Sequence, residues 1–312
     1  MKMGLTYPKL KIFYYVAINK SLKQAALYLD ITEGAVSQQI KDLETRLRKR
    51  LFERSSRKIN LTPDGLNLFN LIAPLIEKVE NVVDEFEQIS GKLRGKITVA
   101  SFEAMLLHVL PDYLNRFRNK YPECEIFLIN GTGREIESMV ISGKVDLGIG
   151  STEELPAEII GKELWRFKRY FIAPLGHPLS KKRRLTLQDM ARVPFVMPDR
   201  ASKTGHRVVK ELERHNSNLK VTVEAGDWEV VMKYVEMGFG VSVLPGIVIQ
   251  HRDKDKKKLY MKYLSEVDKR FGFSQYGLLV KRGKYLSPAA RELIRYLSPE
   301  FDFDALRQHL RI

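Results

Sequence analysis

SLKQAALYLDITEGAVSQQIKDLETRL, residues 21–47, decides how the chain begins. Ser21, followed three residues later by Gln24, is a capping-box start for a helix carrying Leu22, Ala25, Ala26 and Leu29. A further helix begins near Thr32. Its apolar residues Val36, Ile40, Leu43 and Leu47 are spaced four, three and four, which places Glu33, Ser37, Gln38 and Lys41 on the opposite, exposed side. Two helices joined by a tight turn, the second presenting short polar groups, suit a helix-turn-helix whose second helix enters the major groove of DNA.

Working outward, Leu10, Phe13, Val16 and Ala17 repeat at helical spacing on the N-terminal side. On the other side, Leu51 to Leu61 is a short strand-turn-strand pattern around Ser55-Ser56, bearing Arg54, Arg57 and Lys58. That is a basic wing. Residue type then assigns roles: Gln38 pairs with adenine, Glu33 with the cytosine amino group and Ser37 with several bases, while Lys41, Arg54 and Arg57 hold phosphates and Lys58 joins the DNA-contacting set through the wing. Ser21 and Thr32, at the starts of the two helices, complete the candidate DNA-contacting set. The alternative for Glu33 is support of the positive end of its own helix, and for Gln38 simple solvation.

The charge follows this division. The chain has 312 residues with 53 Lys+Arg against 38 Asp+Glu, a net +15. Residues 1–65 carry +7, residues 66–92 carry −3, and the remaining 220 carry +11. Charge per residue is thus about twice as high in the N-terminal head as in the C-terminal bulk, and an anionic partner is implied. A chain this long is expected to form two or three domains. The single cysteine, Cys124, excludes an intramolecular disulfide and thiolate-clustered metal sites. It reads as a buried structural thiol in a strand rather than a redox sensor. No apolar run approaches the roughly 18 residues of a membrane span, and none resembles a signal peptide, so a cytoplasmic location is expected.

After the wing, Thr62-Pro63 is a capping residue followed by proline at the first helical position. Leu68, Ile72, Leu75, Val79, Val82, Phe86 and Ile89 then form a heptad seam of about three repeats. A coiled-coil dimer through residues 66–92 is its simplest explanation. The competing one is an amphipathic helix packed on its own domain. Pro74 inside the seam predicts a local kink.

From about Gly95 the pattern alternates. Strands are predicted at 96–100, 124–129, 145–149, 171–174, 194–197, 221–225 and 241–244, and helices at 104–119, 134–142, 205–215 and 229–236. This is an α/β unit followed by a second one. The basic runs 181–184 and 254–258 read as solvated surface.

These residues resemble a known family. Leu10, Phe13, Val16-Ala17, Ser21, Ala25-Ala26, Leu29, Ala35-Val36-Ser37, Gln39-Ile40, Leu43-Glu44, Leu47, Leu51-Phe52, Arg54, Leu61-Thr62 and Gly65 are similar to the signature of LysR-type transcriptional regulators. Leu110-Pro111, Phe117, Tyr121-Pro122, Gly143 with Asp146, Gly176-His177-Pro178-Leu179, Val235 with Gly238-Phe239-Gly240, and Leu244-Pro245 continue the likeness. The resemblance implies an α/β protein with a winged helix-turn-helix over 1–65, a dimerising linker helix over 66–92, and a two-lobed, periplasmic-binding-protein-like effector domain over 93–312. One lobe would comprise 93–165 and 268–300, the other 166–267. Homodimers, commonly paired into tetramers, are implied as well. Arg48 stands where the family usually has glycine, so a left-handed conformation in the turn after the recognition helix would be costly there, while the side chain adds a phosphate-seeking charge. The family often has proline where Gly34 stands.

In such sheets ligands sit beyond the carboxyl ends of strands, near helix N-termini. Ser101 with Phe102, Thr132, Ser151 and Thr204 fall at such places, and their hydroxyls would suit an oxyanion or carboxylate. Each is also an ordinary cap or turn residue. Gly131-Thr132, Thr204-Gly205 and the stretch from Asp227 to Val235 look most like the cysteine-biosynthesis branch of the family, which responds to sulfate and acetylated serine. Ser151 stands where that branch has threonine. The resemblance therefore implies a small anionic or amino-acid-like effector, and no cofactor.

Rival classes fare worse on residues. No phosphate-binding P-loop is present, Gly148-Ile149-Gly150 and Gly238-Phe239-Gly240 lack the third glycine of a dinucleotide site, and the six histidines have no metal spacing. His177 reads as a turn residue rather than a catalytic base. A solute-binding transport protein would not need the basic head, and an architectural DNA protein would not need a two-lobed pocket.

Overall fold

The apolar stripe at residues 36–43 is the one that packs. Val36, Ile40 and Leu43 are buried with Phe13, Val16 and Ala25 in one core. At about 1.5–3 kcal/mol per buried large apolar side chain, such a core offsets the marginal stability of short isolated helices. The computed structural model describes residues 5–307 apart from 56–57, 90–92, 199–202, 217, 251–258 and 265–272. The head consists of α1 (Tyr7–Asn19), α2 (Leu22–Leu29), α3 (Glu33–Leu47) and an antiparallel hairpin of β1 (Phe52–Ser55) and β2 (Lys58–Leu61). Ser21 caps α2 by accepting from the Gln24 N–H, and Thr32 caps α3 by accepting from Ala35.

Arg48 does take the left-handed conformation, with φ 52° and ψ 36°, as the cap of α3. Its N–H and that of Lys49 return to carbonyls of the last turn, Thr45 and Glu44. Glu44 also reaches forward, accepting from the N–H groups of Leu51 and Phe52 at 2.8 and 3.2 Å, and so ties the wing to the recognition helix.

Two helices follow, α4 (Pro63–Glu80) and α5 (Val82–Ile89), and here the expected seam is corrected. α4 runs through Pro74 and ends at Asn81, so the linker is not one continuous helix. Ile72 is buried with Phe69, Ala73 and Ile76 against the chain's own head, and Leu68 packs beside them. Leu75, Val79, Val82 and Phe86 are exposed. The seam therefore divides: its start serves the head core, and its later members form an open apolar row. The side chain of Ile89 lies outside the described residues. At Gly65 a Cβ would stand 2.0 Å from the Leu51 carbonyl oxygen, so only glycine lets α4 seat against the wing.

The effector domain continues with β3 (Gly95–Ser101), α6 (Glu103–His108), α7 (Leu110–Lys120), β4 (Cys124–Asn130), α8 (Gly133–Ile141) and β5 (Leu147–Ser151). The single helix predicted over 104–119 is split, because Pro111 would block an uninterrupted ladder and is accommodated in the first turn of α7. Then come β6 (Ile159–Pro174), α9 (Leu187–Ala191), β7 (Phe195–Pro198), α10 (Lys203–His215), β8 (Val221–Ala225), α11 (Trp228–Glu236), β9 (Ser242–Pro245), α12 (Ile247–Gln250), β10 (Leu259–Tyr263), β11 (Phe273–Lys281) and α13 (Pro288–Leu297).

Strand β6 organises the domain. Ile159 to Lys168 pairs with β11, and from Arg169 onward the same strand pairs with β9 and β10. The strand order is β10-β6-β11-β5-β3-β4, with β3 parallel to both β4 and β5. Around the second half of β6 a separate core forms from Phe171, Leu185, Met190, Phe195, Leu212 and Val243. The strands and helices expected from the sequence include neither β11 nor α13, and of β6 only residues 171–174. Cys124 is buried at the start of β4. Among the described residues, no helix is long and apolar enough to cross a membrane.

Candidate effector cavity and nucleic-acid interface

On the head, the start of α3 is open. Thr32, Glu33, Gln38 and Lys41 are exposed, whereas Ser21 and Ser37 are half-buried. The Gln38 amide donates to Asp42 Oδ1 at 2.9 Å, and Asp42 also pairs with Lys9 at 3.5 Å, so the exposed Gln38 side chain is held along its own helix. Arg48, Lys49 and Arg50 stand exposed between α3 and the wing, with Lys49 paired to Asp64 at 3.1 Å. Arg54 and Lys58 lie in β1 and β2, but their side chains, like Arg57 altogether, lie outside the described residues.

In the effector domain a cavity of about 820 Å3 opens where β3, β4, β5 and β8 end and α6, α8, α10 and α11 begin. The chain places helix N-termini there because each strand stops at a short polar turn: Thr132 ahead of α8, Asp227 ahead of α11. Phe102, Thr132, Ser151 and Asp227 all line it. Ser101 does not. Its hydroxyl is fully buried and donates to the Ile149 carbonyl at 3.0 Å, tying β3 to β5, so the expected ligand hydroxyl is a structural one. Thr204 lies within α10, with its side chain outside the described residues.

The remaining hydroxyls are partly committed. The Thr132 amide and hydroxyl both donate to Glu135 Oε2, at 2.8 and 2.9 Å, and these bonds hold the Glu135 carboxyl below the usual range. Ser151 accepts from the Glu153 N–H at 3.3 Å. Asp227 Oδ1 caps α11 through the N–H groups of Glu229 and Val230.

Charged and aromatic groups supply what composition could not locate. The cavity wall carries both signs of charge: Arg134, His206, Arg207 and Lys210 line it together with Glu103, Glu135, Glu137, Glu154 and Asp227. Glu103 shares a hydrogen bond with Asp227, and this bond with its like charge pushes the Glu103 carboxyl up to about 7. Phe102, Trp228 and Tyr276 cluster at the cavity wall, with ring centroids 4.9, 5.1 and 6.1 Å apart. Arg207 bridges toward Glu153 and Glu154 at 3.3 and 3.4 Å. Behind it Arg169, 1% exposed, reaches Glu153 at 3.4 Å and donates to the Ser274 hydroxyl at 2.7 Å.

Glu103 and Arg134 carry a signal that could have found them, their place in the first turn after a predicted strand. Tyr276 stands in a short apolar run, Tyr276 to Val280, that fits the buried strand β11, but nothing in that run says that the tyrosine faces a cavity. His177, lining no part of this cavity, accepts from the Leu179 N–H through Nδ1 and caps a short turn, and burial lowers its pKa.

Comparison with known proteins agrees with both halves. Residues 8–66 match the bacterial regulatory helix-turn-helix family of the lysR type, and residues 90–302 match the LysR substrate binding domain. HTH-type transcriptional regulator CysB of Burkholderia cenocepacia is 24% identical over 297 residues, covering 94% of this chain and 93% of that one. HTH-type transcriptional regulator SsuR of the same organism is 27% identical over 288 residues, covering 91% of each. Among solved structures, full-length OxyR C199D from Pseudomonas aeruginosa superposes with a TM-score of 0.69 at 18% identity, covering 98% of both chains.

Proposed function

Because the chain belongs to the LysR family of transcriptional regulators, we propose that its interlobe cavity binds a small amino-acid-like effector that controls DNA binding by the head. The protein is a DNA-binding transcriptional regulator with an effector-binding domain, and not an enzyme. The observation that carries the effector class is that the cavity wall offers both signs of charge beside an aromatic cluster. Arg134 and the N-terminus of α8 suit a carboxylate or sulfate, while Glu103 and Asp227, beside Trp228, suit an ammonium. A simple anion would satisfy the first half alone. Acetylated serine has a carboxylate, and its O-acetyl form an ammonium too, so it suits both signs of charge, and the resemblance to the cysteine-biosynthesis branch makes it the first candidate.

On the DNA side, Glu33, Ser37 and Gln38 read bases, and Lys41, Arg54, Arg57 and Lys58 hold phosphates, with Ser21 and Thr32 contributing at the helix starts. The open row on α4 and α5 joins two copies, which in turn pair into tetramers. A chromosomal partner places the protein in the cytoplasm.

The test is a DNA titration of the purified protein on fragments selected from genomic DNA, at two salt concentrations, with sulfate, O-acetylserine or neither. O-acetylserine should shift the affinity more than sulfate does. Arg54→Ala should weaken binding to every fragment and lower the salt slope by about one, whereas Gln38→Ala should relax preference at one base pair. A response to sulfate with none to O-acetylserine would remove the amino-acid reading, and an unchanged salt slope would remove the wing assignment.

A further inference from the structure

Where the head meets its own effector domain, the contact is made by buried ions. Glu77, in the last turn of α4 with a side chain 13% exposed, accepts through Oε1 from the Tyr14 hydroxyl of α1 at 2.9 Å and from Lys284 Nζ at 3.3 Å. Lys284 follows β11, and its side chain is 6% exposed. Its ammonium also donates to the Gly143 carbonyl at 3.0 Å and stands 3.9 Å from Asp146 Oδ1, both in the turn between α8 and β5. The other Glu77 oxygen, Oε2, is buried with no hydrogen-bond partner among the described residues. Beside it Lys281 lies 4.8 Å over the Phe69 ring of α4, and burial pushes its ammonium down to about 8.

Two buried charges packed this way are a poor source of net stability, because desolvation cancels most of their attraction. They are sensitive to geometry instead. The strands that end at this joint begin or finish in the cavity. β5 starts beside Asp146 and ends on Ser151, about 16 Å away at the rise of an extended strand. β11 carries Tyr276 into the cavity and Lys281 to the joint. Asp146 Oδ2 accepts from the Thr98 N–H in β3 at 2.8 Å, and β3 leads to Phe102.

We propose that Glu77 is a positioning residue: through Lys284 and Asp146 it ties the orientation of the DNA-binding head to the strands whose far ends form the cavity. This rests on reading that cavity as the regulatory site, but the joint is testable without any effector.

The experiment uses the full chain with Cys124→Ser and spin labels at Lys23→Cys on the head and Lys162→Cys on β6, both exposed positions. Glu77→Gln and Lys284→Met should each widen the head-to-body distance distribution by about twofold and weaken binding to a selected DNA fragment by about five- to tenfold. The swapped pair Glu77→Lys with Lys284→Glu should restore most of both, which a merely space-filling role would not. Tyr276→Ala, at the cavity end of β11, should shift the distances in the parent protein and not in the Glu77→Gln background. Should Lys284→Met fail to fold, Glu77→Gln keeps the side-chain shape and gives the same reading. Single variants indistinguishable from the parent would overturn the joint, and equal Tyr276→Ala shifts in both backgrounds would overturn its link to the cavity. O-acetylserine binding, followed by Trp228 fluorescence, is scored separately, so a wrong effector leaves the test of the joint intact.

Discussion

Arg48 shows what one residue can and cannot announce. Its place after the helical stripe marks a helix end, and the turn there needs a left-handed residue, yet arginine is a poor occupant of that conformation. The structure holds it there at φ 52°, fastened by the backbone bonds to Thr45 and Glu44. Arg48→Gly should therefore raise stability by about 1 kcal/mol, seen as a rise of about 4–8 °C in the melting temperature of the head if it unfolds as a unit. The same change removes a cation beside the groove-facing helix and should weaken DNA binding at low salt. A lower melting temperature would mean that the arginine side chain makes a compensating contact. Ser101 is the converse case. Its position after a strand is legible in the sequence, but the direction of its hydroxyl is not, because strand-to-strand bonding to Ile149 is a tertiary event.

At the scale of elements, the heptad seam is visible in the sequence and its ownership is not. A 3.5-residue spacing says that one helix face is apolar, but not whether the covering surface comes from the same chain or from a second copy. The structure assigns Ile72 to the head core and leaves Leu75, Val79, Val82 and Phe86 open across the break at Asn81. With about 1.5–3 kcal/mol available from each large apolar side chain covered on association, Val79→Glu with Val82→Glu should convert dimers to monomers in sedimentation without lowering the melting temperature of the head. Ile72→Ala, in contrast, should cost about 2–5 kcal/mol of head stability as a buried truncation. If the exposed pair left the sedimentation coefficient unchanged, this row would not be the dimer contact.

Across the whole molecule, the cleft brings like charges together. Glu103 and Asp227 are far apart in sequence and meet only because β3 and β8 deliver α6 and α11 to the same cavity. The Glu103 carboxyl is raised above its unfolded value, so its contribution to stability is complete below about pH 4.5 and is lost as pH rises through about 7. Melting temperature should accordingly fall between pH 5 and 8 through this pair, and Glu103→Gln should flatten that slope while leaving the value at pH 5 nearly unchanged. An amine effector seated there should flatten it as well. A wild-type slope in the variant would move the origin of the pH dependence elsewhere. From the sequence by itself came the head with its recognition helix, capped and striped at fixed spacing, and the alternation that makes the rest α/β, because period and capping are local properties of the chain. The tertiary structure alone decided which polar groups face the cavity, which apolar residues stay uncovered and how Glu77 meets Lys284, because each depends on what packs against a side chain from a distant part of the sequence, 48 residues away for Ser101 and 207 for Glu77.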